Sequence, residues 1–101
     1  MNFEVRCAIR GDHPSLPGHF PGEPIVPGVV ILDEIAAALH EVYADARLAG
    51  IRAVKFLAPL KPDQKFTIVL STTAEKSDEI AFSCASDGGV IAEGRLQIVS
   101  L

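Results

Sequence analysis

The sequence predicts an α+β domain in which an antiparallel sheet wraps around a central helix, in the order β-loop-α-β-β-β-β. Three observations predict it. One stretch, Val29 to about Leu48, is apolar nearly all round at helical spacing, the pattern of a buried helix. The other ordered segments alternate apolar and polar residues with a period of two. Between the first such segment and the helix lies a run rich in proline and glycine.

The elements follow in order. Residues 2–9 alternate and read as a strand. Residues 10–28 hold five of the seven prolines and four of the eight glycines, and proline fixes φ and restricts the residue before it. That makes a long but stiff loop, and Phe20, Ile25 and Val26 give it apolar anchors. A loop of this length in a small domain is commonly functional. The helix enters the core with its apolar first half, Val29-Val30-Ile31-Leu32 and Ile35 to Leu39, while charges gather later at Glu41, Asp45 and Arg47. Ala49-Gly50 is expected to close it. Ile51–Leu57, Phe66–Ala74, Glu79–Ser86 and Val90–Val99 read as strands. Pro59, Pro62 and Asp63 mark one turn, with tight turns at Ser77-Asp78 and Asp87-Gly88-Gly89. The last three strands therefore form a meander.

The 101 residues fit one domain, 1–101. With 49% apolar residues, a net charge of −4 and a mean hydropathy of +0.30, the chain can pack a small core that a partner subunit would help to complete. A net negative balance argues against nucleic-acid binding, which needs concentrated lysine and arginine. Cys7 and Cys84 lie far apart in apolar segments and lack metal-ligand spacing, so they read as buried reduced thiols. Neither a signal peptide nor a membrane span is legible, and a cytoplasmic location is the expectation.

Two residues stand out chemically. His19, in Gly18-His19-Phe20-Pro21-Gly22, is an imidazole on a stiff loop and a natural general base near neutral pH. Asp33 lies one turn into the helix beside Ile31, Leu32 and Ile35. Apolar surroundings disfavour an ionised carboxylate, and an acid that keeps its proton at neutral pH is able to donate it. A base and an acid held in different environments are what β-elimination requires. Gly28, at the start of the helix, adds unsatisfied N–H groups and the positive end of the dipole, where a carbonyl would be polarised. Its missing side chain allows close approach to the backbone. His13, His40 and the basic group Arg52, Lys55, Lys61 and Lys65 read as solvated or packing residues, although a basic rim would also steer an acidic partner.

The run His19-Phe20-Pro21-Gly22-Glu23-Pro24-Ile25-Val26-Pro27-Gly28, followed by Asp33, resembles the signature of the 3-hydroxyacyl-acyl-carrier-protein dehydratases. Gly50-Ile51-Arg52-Ala53-Val54-Lys55-Phe56, Pro59 and Pro62-Asp63 extend the likeness over most of the chain. The short length is most similar to the compact dehydratases of aryl-polyene and related polyketide-like pathways. The resemblance implies a hotdog fold and a homodimer or dimer-based oligomer with its active site between subunits. It implies that His19 is the catalytic base and Asp33 the acid supplied by the neighbouring helix. The Gly28 N–H would bind the thioester carbonyl and the Ile25 carbonyl would orient His19, with Val29 and Phe20 against the substrate. It implies no metal or redox cofactor, and a substrate delivered on the phosphopantetheine arm of an acyl carrier protein.

Asp33 matches the branch of the family that also isomerises the double bond. Ala37 stands where the family usually has a glutamine. Two other readings remain: a hotdog thioesterase, and a catalytically silent hotdog protein that only binds acyl carriers. The Asp-x4-Asn-Pro-x-His pattern of hotdog hydratases is absent.

Overall fold

The computed structural model describes residues 2–10, 25–73 and 76–100. The elements run β1 (Asn2–Ala8), α1 (Gly28–Val42), β2 (Ala46–Phe56), β3 (Lys65–Thr73), β4 (Lys76–Ser86) and β5 (Gly89–Ser100). This is the predicted order. The strands form one sheet in the spatial order β1-β3-β4-β5-β2, with every neighbouring pair antiparallel. It is the hotdog arrangement, and β3-β4-β5 is the predicted meander.

Period-two patterning decides which side of the sheet is buried. Phe66, Ile68 and Leu70 of β3, Ile80, Phe82 and Cys84 of β4, and Ala92, Leu96 and Ile98 of β5 are buried. The helix meets them with Val30, Ile31, Ile35, Ala38 and Leu39, which share one face. Burying a side chain such as Ile35 or Leu39 stabilises the fold by about 1.5–3 kcal/mol. On β1, Phe3, Val5 and Cys7 turn partly inward. The Phe3 ring meets Tyr43 edge-on, 5.3 Å between centroids and 82° between planes, a contact worth about 0.5–1.5 kcal/mol beyond its burial.

Cys7 and Cys84 are both free thiols, and Cys84 is fully enclosed. Burial first, and the neighbouring Cys7 second, push the Cys84 thiol up to about 12. The reactive species is the thiolate. At pH 8 it would be a far smaller fraction at Cys84 than the roughly one in four of an ordinary thiol. Cys84 is therefore expected to resist iodoacetamide at pH 8 in the native protein and to label fully in guanidinium chloride. Equal labelling rates in the two states would contradict its burial.

Two boundaries differ from expectation. The helix stops at Val42, not near Leu48, and Ala49-Gly50 lies inside β2. Tyr43 ends the helix: its N–H bonds to the Leu39 carbonyl at 2.8 Å, and the Ala46 N–H turns back to the Tyr43 carbonyl at 3.0 Å. Residues 46–48 are helix formers by propensity, yet they pair with Ser100, Val99 and Ile98 of β5. Sheet pairing here outweighs propensity, which is a weak local preference. Ser77 and Asp78 are likewise within β4, so the β3–β4 connection falls on residues 74 and 75, outside the described residues.

The helix is also less enclosed than its sequence predicts. Val29 is 68% exposed in the single chain, and Asp33, Ala37 and His40 are exposed as well. Spaced at i, i+4, i+8 and i+11, they form one stripe on the side away from the sheet. Among the described residues no helix is long and apolar enough to cross a membrane.

Candidate active site

The start of α1 is held from two directions. The Val26 N–H donates to the Leu60 carbonyl at 2.8 Å, tying the chain that enters the helix to the β2–β3 connection. The Leu57 and Ala58 N–H groups both donate to the Ile91 carbonyl, at 2.7 and 3.2 Å, tying that connection to β5. A further bond, Asp63 N–H to the Ile9 carbonyl at 2.6 Å, fixes the far end of the connection against the exit of β1. The helix N-terminus is therefore built on fixed backbone.

Pro27 is the N-cap, with φ −61° and ψ 146°, and among the described residues no side chain caps the first turn. The Pro27 carbonyl accepts from the Val30 and Ile31 N–H groups at 3.0 and 3.4 Å. No acidic residue occupies the first turn, so the helix itself supplies no carboxylate to the positive end of its dipole.

Beside this terminus opens a pocket of about 620 Å³ lined by Ile25, Val26, Gly28, Val29, Ile31, Leu32 and residues 56–60. Every described residue lining it is of an apolar type. The structure thus brings Ile25, Gly28 and Val29 to one cavity. His19 and Phe20, the other two residues singled out on the loop, lie outside the described residues. Sequence reading did not single out Leu57 or Leu60 for this pocket. The only signal is the apolar Phe56-Leu57-Ala58-Pro59-Leu60 run, and its folding back over the helix start rests on backbone bonds that no local pattern announces.

Asp33 corrects one expectation. Its neighbours in sequence turn into the core, but its own carboxylate faces solvent in the single chain. Helical geometry explains this: Ile31 and Ile35 lie about 200° from Asp33 around the axis, on the sheet side. Asp33 instead shares the open stripe with Val29 and Ala37. Among the described residues, no hydrogen bond or ion pair holds it. Any apolar enclosure has to come from residues outside those described or from a second chain.

Gly28 holds a second surprise. A Cβ built there would lie 2.9 Å from Phe56 Cζ and 3.2 Å from each Cε. The close approach that this glycine permits is taken up by the end of the Phe56 ring.

Comparison with known proteins fits this architecture. The family model described as ApeI-like, ApeI dehydratase, matches residues 1–95. The 3-hydroxyacyl-acyl-carrier-protein dehydratase FabZ of Chlamydia trachomatis serovar L2 is 38% identical over 101 residues, covering 87% of this chain and 65% of that enzyme. FabZ of Mannheimia succiniciproducens is 30% identical over 99 residues, covering 87% and 66%. The chain thus spans just under two thirds of the length of these curated relatives. Among solved structures, the dehydratase heterocomplex ApeI:P from Xenorhabdus doucetiae matches with a TM-score of 0.81 at 22% identity, covering 96% of this chain and 86% of that one. The R-hydratase PhaJ1 from Pseudomonas aeruginosa matches at 0.79 and 15%, covering 99% and 79%. At such identities a structural likeness establishes the fold alone. With the family's model matching the chain from Met1 to residue 95, this protein belongs to the ApeI-like dehydratase family.

Proposed function

We propose that the chain dehydrates 3-hydroxyacyl thioesters carried on an acyl carrier protein, giving trans-2-enoyl thioesters for fatty acid or polyketide-like synthesis in the cytoplasm. The observation that carries this reading is the placement of Asp33 on the open face of α1, just past an N-terminus at Gly28 that no described side chain caps and that adjoins an apolar pocket. Family membership supports it.

The chemistry is a β-elimination. His19 takes the proton from C2 of the substrate. The negative charge that develops on the thioester oxygen is held by the N–H groups at Gly28, where the helix dipole adds its field. Asp33 gives its proton to the C3 hydroxyl as the C3–O bond breaks, so water leaves and a C2–C3 double bond forms. The proton on His19 then returns to Asp33 through solvent. The Ile25 carbonyl is the acceptor that orients the imidazole, and Val29 and Phe20 pack against the acyl chain. Lys55 and Lys61 are exposed on either side of the 56–60 run, placing positive charge near the pocket for an acidic carrier.

The same reading makes the working unit a dimer. Among the described residues the second edge of β2 is unpaired, and Leu48, Ile51 and Phe56 on that strand are 40–48% exposed. An exposed apolar edge strand is a template for pairing with another chain, and a second copy would also cover the open helix stripe and enclose Asp33. Ile51→Lys is therefore expected to raise the dimer dissociation constant about 10- to 100-fold, with activity falling at the same protein concentrations. Light scattering combined with an activity titration checks this. Full activity in a monomeric variant would refute a shared site.

The direct test of function is incubation with 3-hydroxyacyl-carrier-proteins, scored by mass spectrometry. Loss of one water from the acyl group is expected. Release of free acid would instead identify a thioesterase. Binding without turnover across chain lengths would identify a silent carrier-binding protein.

A further inference from the structure

We infer that the buried carboxylate of Glu79 holds Arg52 back from the free edge of β2, and that this retraction lets a second copy of the chain pair there. The inference rests on the proposed dimer and places a control of it two strands away from the seam. β2 carries Arg47, Arg52 and Lys55 and no acidic residue. Consider two copies paired antiparallel about a two-fold axis at Ile51, the middle of the strand. The two Arg52 residues then take diagonal positions across the seam, about 7–8 Å apart. Like charges so placed oppose association. Self-pairing of this edge therefore needs its central cation drawn away and countered from within its own chain.

Two features do this. Arg52 is the extra residue of a bulge: Ile51 pairs with Leu96 and Ala53 with Arg95, leaving Arg52 unmatched in the ladder. A bulge re-aims a side chain, and Arg52 reaches back over β5 to β4. There its Nη2 lies 3.3 Å from Asp78 Oδ2, and its Nε lies 3.8 Å from Glu79 Oε1. Arg95 Nη1 approaches the same Oε1 to 4.0 Å. The second feature is the burial of Glu79, which is 4% exposed and is the only buried charged residue among the described ones. Burying a carboxylate is costly unless it is paired. Among the described residues Oε1 accepts no hydrogen bond, so charge rather than directional bonding joins it to the two guanidinium groups. Lys55 stands opposite Glu93 of β5, so a second cation of the edge also has a carboxylate on the neighbouring strand.

The test measures the dimer dissociation constant of the full chain by sedimentation equilibrium, at about 0.1 M and about 1 M NaCl. Glu79→Gln keeps the shape of the side chain and removes its charge. It is expected to raise the constant about tenfold over the parent at the lower salt. Screening shortens from about 10 Å to about 3 Å between these salts, so the ratio should fall to about twofold at the higher one. Arg52→Gln added to Glu79→Gln removes the freed cation, and should return the constant to within about twofold of the parent. A side chain that merely packs the sheet would show neither the salt dependence nor the rescue. Where circular dichroism shows Glu79→Gln unfolded, the exposed change Asp78→Asn carries the test. A rise of about threefold at the lower salt is then expected, with the same rescue. Three results overturn the inference while leaving the dimer in place. They are an unchanged constant in the folded carboxylate variant, a rise that salt leaves untouched, and a double variant as weak as the single one. A parent chain that stays monomeric at every concentration removes the proposed dimer, and the inference with it. Dehydration is not the readout, so an inactive parent that still dimerises leaves the role of Glu79 to stand or fall on these constants.

Discussion

Asp33→Asn is expected to lower dehydration by about 10²- to 10⁴-fold, the usual contribution of a positioned general acid, while leaving the fold untouched. The amide keeps the size and polarity of the side chain but has no acidic proton to give to the departing hydroxyl. Stability should hold because the carboxylate is exposed and, among the described residues, has no partner to lose. Such surface changes stay within about ±0.5 kcal/mol, or roughly 2–4 °C in Tm for a domain of this size. His19→Ala is expected to remove a comparable factor by deleting the base. Acid and base act in one elimination, so the double variant should be little worse than either single one. Thermal melts alongside single-turnover assays on all three variants check this. An Asp33→Asn protein retaining more than a tenth of the activity would remove Asp33 from the mechanism, and a His19→Ala protein that still dehydrates would do the same for the base.

Gly94→Ala is expected to cost about 3 kcal/mol or more, at the upper end for overpacking, and so to lower Tm by about 12–24 °C. Gly94 lies on β5 opposite Val54 of β2 and Phe82 of β4. A Cβ there would run into the Ala53 carbonyl oxygen and come within 2.9 Å of Phe82 Cε1 and Cζ. Ala53 follows a bulge in β2, and its carbonyl is backbone that cannot rotate away. Phe82 is 4% exposed and wedged in the core. Neither neighbour has room to retreat. Gly50→Ala, on the paired strand, is the control: among the described residues its Cβ would meet only Gln97 Oε1 at 3.7 Å, an ordinary contact. That change should be neutral, or stabilising by up to about 1 kcal/mol because it restricts the unfolded chain. Similar Tm losses for the two variants would mean that strand register, rather than the close approach at Gly94, sets the cost.

Much of this protein was legible in sequence because it depends on local periodicity. Period-two runs at residues 2–9 and in the last three strands, and the apolar stretch from Val29, determine the element order without reference to anything distant. The glycine and proline spacing from His19 to Gly28, with Asp33 beyond it, determines a resemblance, since few sequences satisfy that pattern by chance. Tertiary structure alone decided the rest. The helix ends at Val42 because residues 46–48 gain a β5 partner some fifty positions away, a contact that propensity does not register. Asp33 faces outward because a helix turns its neighbours Ile31 and Ile35 to the sheet, so apolar residues adjacent in sequence do not make an apolar environment. Phe56 comes to rest on Gly28 because the Leu60–Val26 and Leu57–Ile91 backbone bonds fold the end of β2 over the helix start. Sequence determined which groups are available for the chemistry. Long-range backbone pairing decided how close they come and how much space is left between them.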